Sequence, residues 1–432
     1  MSEPRETLGA TDAVAVIVGI VVGAAIFESP SWVAASAGSA TAIVLAWILG
    51  GFVSLVGALC YAELASAWPH PGGDYHYLTR AFGSWVGFLF AWARMSVIQT
   101  GSIALLAFVF GDYMSQIVRI GPYSAAIYAA AAVLVLTALN VSGINPTRHS
   151  QKWLTAAQVG GLALLIAAAL VAPATAVGPP AAGEGASASA FGLVMVFVLL
   201  TYGGCIEAAY ISAELREGRR RMAPVLVVSI GIVTVLYVGF NLALLRLMGA
   251  GGMARSEAVG ADLTRIVAGE RGAILISALI AASALTSANA VILTGGRSSF
   301  AMGRDFRLFA RIGVWDAVRG TPRNALVLQG AIALALVVFG SVTRKGFKTM
   351  VDYTAPVFWL FFLLAAVSLF ILRRREPAAP RPFRVPFYPV TPALFVMTCA
   401  WLLWSSLAYT GIGAAAGVGV LLVGLVLIFV DR

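Results

Sequence analysis

The groups best placed to do chemistry in this chain belong to the main chain, in two short stretches. The first reads Val18-Gly19-Ile20-Val21-Val22-Gly23-Ala24-Ala25-Ile26-Phe27-Glu28-Ser29-Pro30, and the second Leu199-Leu200-Thr201-Tyr202-Gly203-Gly204-Cys205-Ile206-Glu207. Each interrupts an apolar run with glycine, which weakens a helix by roughly 1 kcal/mol relative to alanine. A helix that comes apart there frees C=O groups at the end of its first half and N–H groups at the start of its second. Inside a bilayer those groups must find partners. A small zwitterion supplies both: its carboxylate suits the amides near Ala24, Ala25 and Ile26, at the positive end of a half-helix. Its ammonium suits the carbonyls near Ile20, Val21 and Leu200. Any one of these glycines could instead serve close helix packing.

Three ionisable residues also fall inside apolar runs: Glu28, Arg94 and Glu207. A charge at the bilayer centre costs at least ~2.5–3.5 kcal/mol on insertion scales, so each needs a partner or a polar cavity. Two arrangements remain open. Arg94 could pair with Glu207 or Glu28 and fix helix packing, or an unpaired Glu207 could face the site and select a basic amino acid or a diamine. Cys60, Cys205 and Cys399, and His70, His76 and His149, lack the spacing of a disulfide framework or a metal site. No cofactor is expected. No nucleophile and base converge as an enzyme would need, and no ring of charges or repeated filter suggests a channel.

The composition supplies the membrane that such groups require. Of 432 residues, 60% are apolar and 11% charged, against about 25% charged in a soluble domain. A soluble enzyme and a disordered chain are both excluded, and continuous apolar runs exclude a β-barrel. A bilayer span needs roughly 20 apolar residues, and twelve windows qualify, at about 12–36, 41–67, 82–111, 122–142, 151–173, 188–213, 223–248, 272–301, 322–341, 347–372, 391–410 and 412–430. The reading is an all-α integral membrane protein, a single transmembrane domain over 1–432 with no cleaved signal peptide. Residues 174–189 and 249–272 read as external loops.

The interruptions fall in spans one and six. That spacing implies two five-helix repeats of opposite topology, about 12–173 and 188–372, each opening with a broken helix, with peripheral helices over about 391–430. Basic runs such as Arg219-Arg220-Arg221 and Arg373-Arg374-Arg375 put both termini in the cytoplasm, although Arg344, Lys345 and Lys348 run against the rule. The net charge of +10 therefore reflects topology, and no nucleic-acid partner is expected. Gly411, Gly413 and Ala416 match a loose dinucleotide pattern but have no strand before them, so helix packing is the better reading.

These residues resemble the amino acid, polyamine and organocation transporter superfamily over nearly the whole chain. The resemblance rests on Gly19-x-x-x-Gly23-Ala24-Ala25-Ile26-Phe27-x-Ser29-Pro30, on Cys60-Tyr61-Ala62-Glu63-Leu64 followed by Pro71-Gly72-Gly73-Asp74-Tyr75, on the sixth span with Glu214, Arg219-Arg220-Arg221 and Pro224, and on Arg297 through Ala301-Met302-Gly303-Arg304-Asp305. It implies a five-plus-five inverted-repeat core with broken helices 1 and 6, alternating access, and an amino acid held between spans one, three, six, eight and ten. By position, Gly23, Ala24 and Ala25 receive the carboxylate, and Leu200 takes the place of an aromatic gate. Thr201, Tyr202, Gly203 and Gly204 form the second broken segment, and Asn289 lies near the pocket. The protein is thus expected to be a secondary transporter or exchanger of α-amino acids, neutral ones first, in the inner membrane; cationic amino acids or polyamines through Glu207 are the alternative.

Three departures from the family pattern matter. Ala24-Ala25 stands where the family has Ser-Gly, which leaves main-chain amides alone to hold the substrate. Gln158 stands where many members place a lysine that substitutes for a bound cation, so proton coupling through that lysine is absent and the coupling cation is open. The third is the set Glu28, Arg94 and Glu207, the last one residue off the acidic position of relatives that move cations.

Overall fold

The computed structural model describes residues 9–70, 72–143, 150–173, 188–204, 218–409 and 411–430. Among these the regular structure is helical, with one isolated bridge between Asp316 and Thr321. Span one is α1 (Ala10–Val21) and, beyond a break, α2 (Ser29–Ala37). Span two is α3 (Ala40–Ala67), and α4 (Asp74–Phe82) links it to span three. That span consists of α5 (Ser84–Ala93) and α6 (Gln99–Ile117), joined by a π turn at Arg94–Ile98. Spans four to six are α7 (Ser124–Val141), α8 (Ser150–Val171) and α9 (Ala188–Thr201). The rest are α10 (Gly218–Arg255), α11 (Val259–Asp305), α12 (Arg323–Thr343), α13 (Gly346–Arg375), α14 (Val390–Tyr409) and α15 (Ile412–Val430). Eight helical stretches among the described residues are long and apolar enough to cross a membrane whole, and α1, α8, α9 and α15 contribute shorter apolar helices. The chain is an all-α integral membrane protein.

Local chemistry sets the helix ends. Ser39 accepts the Ala42 N–H at 3.2 Å and so caps α3, and Pro30 lies in the first turn of α2, where a missing N–H is harmless. Gly83, at φ 98, turns the chain between α4 and α5, a conformation open to glycine.

Two segments differ from the sequence reading. Residues 249–272, expected as a loop, are largely helical: α10 continues to Arg255 and α11 begins at Val259, with Gly249 and Gly269 the non-helical points. Arg255, Asp262, Arg265 and Glu270 dilute the hydropathy there, while Met253, Ala258, Val259 and Leu263 are fully buried and give these pieces an apolar side. The second is α4, unforeseen because its residues are mostly polar. Tyr77, Leu78 and Ala81 nevertheless make a buried stripe at helical spacing. Residues 174–187 of the other expected loop lie outside the described residues.

Small residues set the helix spacing, because lipid offers helices no hydrophobic drive to associate. α6 packs on α7, α11 and α13. A Cβ added at Gly51 would stand 2.2 Å from Thr234 Oγ1 on α10, so α3 and α10 touch through glycine. In the Gly411-Gly413-Ala416 stretch Gly413 packs in the same way, since a Cβ there would lie 3.0 Å from the Thr349 carbonyl of α13, while a Cβ at Gly411 would meet nothing within 4 Å.

Candidate functional site

The site begins where α1 stops. Val22 N–H still reaches Val18 O at 2.8 Å, but Gly23 N–H turns back to Val21 O at 2.8 Å and Gly23 is extended. A 3₁₀ turn over Ala24–Phe27 follows, and Glu28 N–H closes it on Ala25 O at 3.1 Å. The main chain from Val22 to Glu28 is therefore not α-helical. Ala24 and Ala25 open a new helical turn, where the first N–H groups have no intrahelical acceptor. Val21, Val22, Ala24, Ile26 and Phe27 are buried, Gly23 and Ala25 are partly open, and Ile20 is half-exposed on α1.

The sixth span breaks beside it. α9 ends at Thr201, with Tyr202 N–H on Val198 O at 3.2 Å and Gly203 N–H on Leu200 O at 3.1 Å. A Cβ at Gly204 would meet Ile20 O at 3.0 Å and Val21 Cα at 3.1 Å, so the two broken segments touch, backbone against backbone. Thr201 Oγ1 stands 2.8 Å from Ser29 Oγ and also donates to Phe197 O at 2.9 Å, tying the end of α9 to the start of α2. Glu207 lies outside the described residues.

Tyrosines take up the carbonyls that the breaks release. The Tyr237 hydroxyl, from α10, reaches Val21 O at 2.8 Å and Thr201 O at 3.3 Å. At the far end of the first break, Tyr113 of α6 donates to Phe27 O at 2.7 Å and accepts Gly260 N–H at 3.2 Å. Tyr202 donates to Trp47 O at 3.1 Å. Tyr237, Tyr202 and Trp47 also pack as an aromatic cluster, with centroids 4.9 to 6.1 Å apart. Sequence reasoning missed Tyr113 and Tyr237. A tyrosine in an apolar span reads as packing, and only the acceptor it meets reveals the polar role.

Val21 O thus holds Gly23 N–H and Tyr237 Oη, and Leu200 O holds Gly203 N–H; an arriving ammonium would share these carbonyls. Asn289 is fully buried on α11, and its Oδ1 accepts Asn140 Nδ2 of α7 at 2.6 Å. Gln158 is buried on α8, and its Oε1 accepts Ser283 Oγ of α11 at 2.5 Å while its Nε2 has no partner. Glu28 and Arg94 do not pair with each other. The charged groups acting on Glu28 are the carboxyls of Asp112 and Glu257, and its Oε2 is buried without a partner. Arg94 opens the π turn of span three, with its Nε likewise unpartnered.

A family profile described as "Amino acid permease" matches residues 8–429. The chain belongs to that family. The permease is 30% identical over 424 residues to the large neutral amino acids transporter small subunit 2 of Homo sapiens, covering 95% of this chain and 78% of that one. It is 28% identical over 411 residues to the b(0,+)-type amino acid transporter 1 of Mus musculus, covering 92% and 82%. The permease is a multi-pass membrane transporter of amino acids and not an enzyme.

At the end of α3 the permease gathers a second polar cluster. Glu63, fully buried, receives two bonds from the Arg373 guanidinium and the Val385 N–H at 2.6 Å. Arg80 of α4 makes two bonds to Glu376, at 2.6 and 2.8 Å, and Trp68 Nε1 donates to the same carboxylate at 2.9 Å. Arg373 also lies 3.8 Å above the Tyr388 ring. These contacts join spans two and ten to the amphipathic α4.

Proposed function

We propose that this permease exchanges neutral α-amino acids across the cytoplasmic membrane by alternating access, with both termini in the cytoplasm and repeats over about 12–173 and 188–372. The observation that carries the reading is the meeting of two broken helices at Gly204 and Ile20, which gathers main-chain donors and acceptors of opposite sign in one place. The carboxylate sits on the amides of Gly23, Ala24 and Ala25. The ammonium sits on the carbonyls of Ile20, Val21 and Leu200, of which Tyr237 already holds that of Val21 and Gly203 that of Leu200, and Leu200 flanks the side chain. Ile26, Thr201, Tyr202 and Asn289 shape the surroundings.

Selectivity for neutral side chains is supported by the human relative, a transporter subunit named for large neutral amino acids. Gln158, a neutral amide held by Ser283, supports exchange over proton symport, because an amide carries no titrating proton at this position. In an exchanger only loaded forms cross between the two open states, so the bound amino acid must stabilise the switching conformation.

Uptake into proteoliposomes tests this. Labelled leucine or alanine should enter only when unlabelled neutral amino acid is inside, and a sodium or pH gradient should not drive it. Uptake driven by an acidic exterior into empty vesicles contradicts the exchange reading. Preferred uptake of lysine or putrescine, abolished in Glu207→Gln, would put the cationic alternative in its place.

A further inference from the structure

The connection from α11 to α12 lies on the same membrane face as α4, since the Tyr75 hydroxyl of α4 donates to Asp305 Oδ2 at 3.3 Å. Its shape is set by specific contacts. A Cβ at Gly303 would collide with Gly313 N, so the backbone crosses itself there and closes residues 304–312 into a loop. Phe306 packs edge-on to Phe88 with centroids 4.8 Å apart, and Phe309 lies 5.8 Å from Trp92, both partners being on α5. Ile312 is buried beside them. Further on, Asp316 and Thr321 form a bridge, and Asn324 Nδ2 donates to Arg311 O at 2.8 Å, which ties the loop to the start of α12.

These contacts gather Arg304, Arg311 and Arg323, which are distant in sequence. Gly313, two residues past Arg311, lies against Arg304, whose N would be 2.9 Å from a Cβ there, and the Arg311 carbonyl is bonded to the neighbour of Arg323. All three side chains are exposed, and among the described residues none has an ion pair. The carboxylates of the connection are turned to other groups: Asp316 accepts Arg319 at 3.0 Å, and Asp305 accepts Tyr75. A positive-inside bias would put basic residues on this face without gathering them. Beside the arginines Val314, Trp315 and Val318 stand exposed, Val318 at 96%, and Trp315 leans back on Phe300 of α11 with centroids 5.4 Å apart. Such apolar groups are a liability in water, whereas tryptophan is favoured at the headgroup level of a bilayer. Guanidinium groups without counter-charge, bordered by an apolar edge, fit an anion that is itself attached to hydrocarbon.

We propose that this connection binds an anionic membrane lipid, its phosphate on Arg304, Arg311 and Arg323 and its acyl chains alongside Trp315. A bound lipid would bridge the ends of α11 and α12, which the aromatic contacts join to α5. The proposal stands apart from the exchange reading, because lipid binding is measured without transport.

Native mass spectrometry of the full chain in detergent, titrated with phosphatidylglycerol and separately with phosphatidylcholine, tests it. The wild type should prefer phosphatidylglycerol, since the choline of the other lipid cancels its phosphate charge. Each of Arg304→Ala, Arg311→Ala and Arg323→Ala should weaken phosphatidylglycerol binding about fivefold, and the three together about a hundredfold. Arg319→Ala removes the same charge from an arginine already paired with Asp316, and should change binding by less than about twofold. Gel filtration is the folding control, and the single variants carry the test if the triple variant does not elute as folded protein. Wild-type binding of phosphatidylglycerol by the variants, or an equal loss in Arg319→Ala, overturns the proposal. So does binding of soluble glycerol 3-phosphate as tight as that of the lipid, which would make the surface a site for free phosphates.

Discussion

The Tyr237 hydroxyl lies 2.8 Å from the Val21 carbonyl, at the point where the first span leaves its helix. The same hydroxyl is 3.3 Å from Thr201 O, where the sixth span ends, so one side chain of α10 holds both breaks. Unpaired carbonyls in a bilayer are expensive, and Tyr237 together with Tyr113 explains how the opened helix persists without substrate. In Tyr237→Phe the ring keeps its packing against Trp47 and Tyr202 and loses only the bonds. The expected result is a loss of about 1–3 kcal/mol in stability, seen as a lower Tm in detergent, with weaker amino acid binding. An unchanged Tm and affinity would remove Tyr237 from the site.

Gly204 admits no side chain. A Cβ there would press on Ile20 O and Val21 Cα, both backbone atoms that cannot swing aside. Gly204→Ala should therefore separate the two breaks and reduce exchange about tenfold or more, while the variant still elutes as folded protein. Wild-type exchange by Gly204→Ala would mean that the close approach has no part in transport.

Glu63 is the buried member of the cluster joining spans two and ten. Removing one partner of a buried pair commonly destabilises by about 3–5 kcal/mol. Glu63→Gln keeps the shape and leaves the Arg373 guanidinium without its counter-charge. A marked fall in Tm is expected; a fall of a degree or less would show that Arg373 finds equal partners elsewhere.

Much of this was legible in the sequence because it depends on backbone and hydropathy. Gly23 and Gly203-Gly204 mark the breaks, and the apolar windows mark the spans. What was hidden depends on which side chains meet across helices. Nothing at Tyr113 or Tyr237 announces a freed carbonyl 86 or 216 residues away. The helices at 249–272 were obscured for a related reason: their few charges lower the hydropathy although their apolar residues are buried against neighbours. Glu28 and Arg94 read as plausible partners from charge alone, yet they take up separate positions, Glu28 among other carboxyls and Arg94 in the π turn.

Acid should loosen the cluster at α4 through His76. Burial, the stacked His70 ring and the Arg80 guanidinium hold the His76 imidazole below its ordinary value. The unfolded chain therefore binds the proton more readily, and this contribution to stability is complete above pH about 6.5 and is lost as pH falls through the lowered value. Hydrogen bonds from Arg80 and Trp68 hold Glu376 below the usual carboxylate range, so its contribution persists until more acidic pH. Between pH 7.5 and 5.5 the wild type should lose more Tm than His76→Gln. Equal losses would place the pH sensitivity elsewhere.

Main-chain groups at the two breaks are proposed to grip both ends of an amino acid. Competition against labelled leucine bound to the purified permease provides the test, using leucine, leucine methyl ester, N-acetyl-leucine and 4-methylpentanoic acid as competitors. Leucine alone should displace the label at low concentration, each altered analogue being weaker by about a hundredfold, or ~2.7 kcal/mol. Displacement by the ester or the N-acetyl compound at the same concentration as leucine would contradict it.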